Sequence, residues 1–122
     1  MRKTTVAVLP CLIVAAAGAA AWEFQYNDAA MKVAFYSNSL GDPAPVSRKN
    51  TKAAFQIEAE AAKTMFDALF KNQKDPCGAQ PNTEYRASGN GLLVCTKASK
   101  EAPVCSFGVD VNRGKLVAGS IC

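Results

Sequence analysis

Five cysteines divide this chain into two unequal parts. Cys11 lies inside an apolar leader, and Cys77, Cys95, Cys105 and Cys122 are spread through the region behind it. Arg2 and Lys3 precede an apolar stretch that runs from Val6 through Ala21, and Ala19 and Ala21 supply small side chains at the two positions a signal peptidase inspects. Residues 1–21 therefore read as a cleaved signal peptide, with the mature chain starting at Trp22. The stretch is shorter than the ~20 apolar residues of a spanning helix and is diluted by alanine and Pro10, so no stable membrane anchor is expected after cleavage. Lipidation at Cys11 is disfavoured by Pro10 directly before it.

Once the leader is set aside, residues 22–122 form one small domain, too short for a second core. Its four cysteines are an even number in a chain bound for an oxidising compartment, periplasmic or extracellular, and they read as two disulfides. A metal site is not expected, because no CxxC pair occurs and the chain has no histidine.

Two helices are expected first. Asp28 caps one whose apolar residues Ala30, Met31, Ala34 and Phe35 fall at three-and-four spacing, and Gly41 ends it. Gly41-Asp42-Pro43-Ala44-Pro45 then makes a rigid turn. A second helix over 48–72 lines up Phe55, Ala59, Ala62, Phe66, Leu69 and Phe70 on one face, with Gln56, Glu60, Lys63, Asp67 and Lys71 opposite.

Beyond the prolines the pattern shifts to period two. Strands over 84–88 and 92–97 flank Gly89-Asn90-Gly91, and strands over 104–111 and 115–121 flank Asn112-Arg113-Gly114, which gives two hairpins. In the second hairpin a three-residue turn sets Val109, Phe107 and Cys105 against Val117, Gly119 and Ile121, and this register keeps apolar side chains on one face. The fold class is thus α+β: two N-terminal helices packed on a four-stranded antiparallel β-meander, stapled by disulfides. In that meander all four cysteines share one end of the sheet, so the three connectivities stay open. The preferred register weakens Cys105 with Cys122 and tilts the choice toward Cys77 with Cys122 and Cys95 with Cys105.

Charge and residue chemistry narrow the function classes. With Arg2 and Lys3 removed, 12 of the 14 basic residues stand against 10 acidic ones, a scattered net charge of +2 that does not describe a nucleic-acid binder. Without histidine no Ser-His-Asp set is available, Glu58 and Glu60 point apart on the expected helix, and Cys95 and Cys105 carry no activating motif between them. No glycine-rich phosphate loop precedes a helix, so no cofactor is expected either. The chain is expected to be a binding protein and not an enzyme.

Small, exported, cross-linked domains with rigid tips suit the plugging of a cleft. The leading expectation is an inhibitor or immunity-type protein that blocks a cell-wall hydrolase. Asn90, Asn112 and Arg113, at tips pointing away from the cysteines, would be its partner-binding residues. The alternative is a structural or accessory subunit of an envelope or secretion assembly. Arg48, Lys49 and Lys52 form a small basic cluster at the start of the expected second helix, suited to an acidic partner or to anionic lipid head groups. Trp22, Phe24 and Tyr26 are expected to pack over the sheet, since an exposed aromatic cluster would itself mark an interaction site.

Overall fold

Pairing partners, more than local propensity, decide this architecture. A computed structural model describes residues 21–78 and 80–122. The signal peptide assigned to residues 1–21 lies, apart from Ala21, outside the described residues. Met31-Lys32-Val33-Ala34-Phe35-Tyr36 is not helical: it runs extended in β1 (Met31–Ser39), where successive side chains alternate between two faces. Leu40 and Gly41 turn the chain into β2 (Asp42–Ala44), which pairs back on the end of β1 through Ser39 with Asp42. Pro43 is tolerated there because β2 is an edge strand that needs no donor at that position.

The expected second helix is split. Its first part is β3 (Lys52–Ile57), an interior strand with β1 on one side and β6 (Val104–Asp110) on the other. Backbone hydrogen bonds along both edges outweigh the helix preference of its Ala, Lys and Gln residues, a tertiary override of local tendency. At Glu58 the backbone is still extended, with φ −124° and ψ 176°, and only then does α1 (Ala59–Leu69) begin. The Phe55 to Phe70 stripe therefore does not exist as one face. Ala62 and Phe66 are buried beneath the helix, Phe55 belongs to β3, and Phe70 is 79% exposed where the chain leaves the helix in a left-handed conformation at φ 35°.

The C-terminal part is a meander. β4 (Thr83–Ala87), β5 (Val94–Ala98) and β6 follow one another antiparallel, and β7 (Lys115–Val117) pairs with the last three residues of β6 beyond the end of β5. The strand order is β2-β1-β3-β6-β5-β4, with β7 beside β6. The molecule is thus mostly antiparallel sheet, with seven strands and a single short helix among the described residues, and not two helices on a four-stranded meander.

The second hairpin also departs from the expected register. Gly108 faces Val117 and Asp110 faces Lys115, so four residues make the turn. The Gly114 N–H closes it on the Asp110 carbonyl at 2.8 Å, and Gly114 itself sits at φ 63°, a conformation that suits glycine.

Two layers flank the sheet. On one face α1 lies over β6, β5 and β4, and its Ala62 and Phe66 meet Cys95 and Cys105, with Ile57, Met65, Leu69 and Leu93 around them. Cys95 and Cys105 are direct cross-strand neighbours and form a disulfide in the middle of this core, both fully buried. On the other face the C-terminal tail crosses β6. A Cβ on Gly119 would overlap the Phe107 backbone, and one on Gly108 would lie 2.8 Å from the Ala118 carbonyl oxygen, so two glycines let the chains touch. The tail ends in a disulfide between Cys122 and Cys77. That bridge lines the same cleft as Gly91, Tyr85 and Val94, so the cysteines do not gather at an end remote from the tips.

Trp22, Phe24 and Tyr26 do not pack on the sheet. They are 85%, 68% and 92% exposed and touch chiefly one another, the Phe24 and Tyr26 rings edge-on at 5.3 Å. The whole segment from Ala21 to Ala30 is exposed.

Candidate functional site

The sheet has four strand edges without a partner strand among the described residues, and they are not guarded alike. At β7 the edge is three residues long and headed by Lys115. At β4 the chain folds back over its own edge: the Gln73 N–H donates to the Tyr85 carbonyl at 2.8 Å and its Nε2 to the Ala87 carbonyl at 2.9 Å. At β2 the edge is three residues long and carries Pro43. At β1 the first part of the edge is open, because β2 covers only Ser37 to Ser39.

The direction of each backbone group in β1 follows from one hydrogen bond. The Glu58 N–H donates to the Ala30 carbonyl at 3.0 Å, and Met31 lies opposite Ile57 in the antiparallel ladder. Because the two strands exchange bonds at every second residue, Ala30, Lys32, Ala34 and Tyr36 aim their backbone groups at β3. Met31, Val33 and Phe35 aim theirs outward, where no strand among the described residues meets them. Their side chains share the helix face and are 53%, 46% and 61% exposed, since α1 covers only the other half of the sheet.

This apolar strip continues inward. Val33, Phe55 and Phe107 stand in one cross-strand row, with the Phe55 and Phe107 rings stacked at a centroid distance of 5.0 Å. Beyond them Phe107 and Leu116 join Met65, Leu92 and Leu93 in an open apolar cleft of about 320 Å³. Apolar surface of this extent thus lies beside an unpaired edge, a combination that folded monomers seldom leave open.

A second feature lies at the end of the sheet where the β2–β3 loop meets the β6–β7 turn. Arg48 and Lys49 form the tip of a tight loop closed by reciprocal Ser47 and Asn50 hydrogen bonds. Asn112 fixes that loop: its Oδ1 accepts from the Thr51 N–H at 2.7 Å and its Nδ2 donates to the Arg48 carbonyl at 2.9 Å. Lys49, Lys52, Asn112 and Arg113 line one pocket together with Asp110. Arg113 lies 3.9 Å from the Asp110 carboxylate, and the Lys52 ammonium donates to the Asn38 carbonyl. The expected basic cluster thus sits in a loop and not on a helix, and it gains Arg113.

The residues singled out from sequence are not brought together. Asn90 spends its side chain on its own turn, its Oδ1 accepting from the Leu92 N–H at 3.0 Å and the Ser88 hydroxyl at 2.7 Å. Asn112 is committed to the neighbouring loop. Of the three, Arg113 alone presents a largely solvent-exposed charged group, with 77% of its side chain accessible. Sequence reasoning missed Met31, Val33 and Phe35 as a site. The signal was present only as large apolar side chains at every second position, Met31, Val33 and Phe35, in a run that Ala34 and Tyr36 make continuous, and an equally good three-and-four spacing masked it.

Among the described residues no group of three or more His, Cys, Asp or Glu is gathered for a metal, and no helix is long and apolar enough to cross a membrane. The two disulfides suit an oxidising, exported environment. Comparison with known proteins finds no family model, no curated protein and no solved structure that matches the chain.

Proposed function

We propose that this chain is an exported binding protein that serves as a structural or accessory subunit of an envelope assembly, engaging its partner by strand addition at the open edge of β1. The observation that carries this reading is the outward backbone of Met31, Val33 and Phe35 beneath three exposed apolar side chains. Main-chain bonding along such an edge supplies affinity, and the alternate side chains supply selectivity. Trp22, Phe24 and Tyr26, in the segment that precedes β1 in the chain, are further exposed apolar side chains.

Inhibition of a cell-wall hydrolase is the second reading. It is favoured by Arg113 on a turn that Asn112 braces, which suits a rigid charged tip entering a cleft. The two separate in one capture experiment on the oxidised protein, run against envelope extract and a panel of wall hydrolases. Val33→Pro removes an outward N–H without touching the β3 ladder, and Arg113→Ala removes the tip charge. Retention of a defined envelope component that is lost with Val33→Pro and kept with Arg113→Ala is the expected result. Inhibition of a hydrolase that is lost only with Arg113→Ala would replace the assembly reading with the inhibitor.

A further inference from the structure

We infer that the strand added to β1 is β1 of a second copy, running antiparallel and centred on Val33. The inference rests on the reading of β1 as the docking edge and names its occupant.

Three constraints converge on this register. The first is the window itself. The partner's own β2 occupies the edge from Ser37 onward, so a visiting strand finds free backbone only at Met31, Val33 and Phe35. That window is symmetric about Val33, so two copies present the same three outward residues to each other. The second is bonding parity. With Val33 opposite the second copy's Val33, Met31 faces Phe35 and Phe35 faces Met31, and all three are pairs whose N–H and C=O groups point at one another. A register shifted by two residues one way sets Met31 against Ser37, whose edge β2 already fills.

The third constraint is charge. Lys32 is the one charged residue between Met31 and Ser39, and shifting the register by two residues the other way would set it against the second copy's Lys32. In the register centred on Val33 it faces Ala34 instead. On the helix face Met31, Val33 and Phe35 then meet only apolar side chains, and the strip through Phe55 and Phe107 becomes continuous across both molecules. Edge strands that must stay single are usually blunted by charge, proline, bulges or covering chain. Here β4 is covered by Gln73 and β2 carries Pro43, whereas the charge on β1 is engaged at 3.1 Å by Glu58 of its own molecule. The segment before Ala30 leaves the ladder where the second copy's β2 begins.

The test is sedimentation equilibrium of the oxidised chain across a concentration series, wild type beside four variants. A reversible dimer is expected for wild type and for Arg113→Ala, and a monomer for Val33→Pro and Val33→Lys with both disulfides and the circular dichroism spectrum retained. Ala34→Glu sets two glutamates opposite the two copies of Lys32 across non-bonded pairs and should tighten the dimer about fivefold at low salt, as two cross-strand charge pairs of ordinary strength do. A dimer that survives Val33→Pro forms elsewhere and overturns the inference, and a dimer that Ala34→Glu weakens overturns the register. A wild-type monomer at every concentration overturns the second copy as occupant. The edge itself then stands or falls separately, on whether capture of an envelope component depends on Val33.

Discussion

At Tyr36 the phenol stands on the tail face of β1, 6% exposed, in a cross-strand row with Lys52 and Asp110. Burial raises its pKa above the ordinary 10.0, and the Asp110 carboxylate adds to the rise. The folded chain therefore holds the phenolic proton more tightly than the unfolded chain does. The stability this gives is complete below pH 10 and is lost as pH climbs from there through the raised value. Denaturation midpoints followed with pH should fall less steeply in this window for Tyr36→Phe than for wild type, and parallel curves would contradict the assignment. Single residues of this kind were poorly legible in the sequence. Asn90 and Asn112 were read correctly as turn residues, but a turn amide that braces its own turn, as Asn90 does, or a neighbouring loop, as Asn112 does, looks identical, in one dimension, to one offered to a partner.

At the scale of elements, the join between α1 and β4 depends on Arg86. Its Nη1 donates to the Phe66 carbonyl at 2.9 Å near the helix end, its Nε donates to the Asn72 Oδ1 at 2.8 Å, and its guanidinium lies 3.8 Å from the centre of the Phe66 ring. An ammonium cannot reproduce this planar set of contacts. Arg86→Lys should cost about 1–3 kcal/mol in urea denaturation, nearly as much as Arg86→Ala, and a lysine that restores most of the stability would refute the clamp. That the C-terminal half turns back at Gly89-Asn90-Gly91 and at Asn112-Arg113-Gly114 was legible because Asn-Gly and Gly turn chemistry is local, but both registers were off by one, with Ala87 facing Val94 and Asp110 facing Lys115. The N-terminal half was not, because Ala30, Met31, Ala34 and Phe35 satisfy helical spacing while Met31, Val33 and Phe35 satisfy the alternation of a strand. What separates the two is β3 finding β1 on one side, 16 to 26 residues back, and β6 on the other, 48 to 58 residues ahead, pairings that no short window of sequence contains. The helix survives only from Ala59, where the chain has left both partners.

Across the whole molecule the two disulfides do different work. Cys95 and Cys105 are buried under α1 and close a loop of 10 residues, whereas Cys77 and Cys122 are exposed and close one of 45. In the chain-entropy view the longer loop contributes about 4 kcal/mol and the shorter about 3 kcal/mol. Mild reduction followed by alkylation should label Cys77 and Cys122 first, releasing the tail while the helix-face core holds, and early labelling of Cys95 would contradict this layering. That four cysteines form two disulfides was legible from their number, whereas their pairing was only a leaning drawn from a register the structure does not keep, and the open edge was not legible because it depends on how far β2 reaches along β1. Residue-resolved amide exchange over Met31 to Tyr36 tests that edge most directly. In dilute solution the N–H groups of Met31, Val33 and Phe35 should exchange fast and those of Lys32, Ala34 and Tyr36 slowly, with the fast set becoming protected as concentration rises. Uniform protection of all six in dilute solution, as a helix or a covered edge would give, would contradict the account.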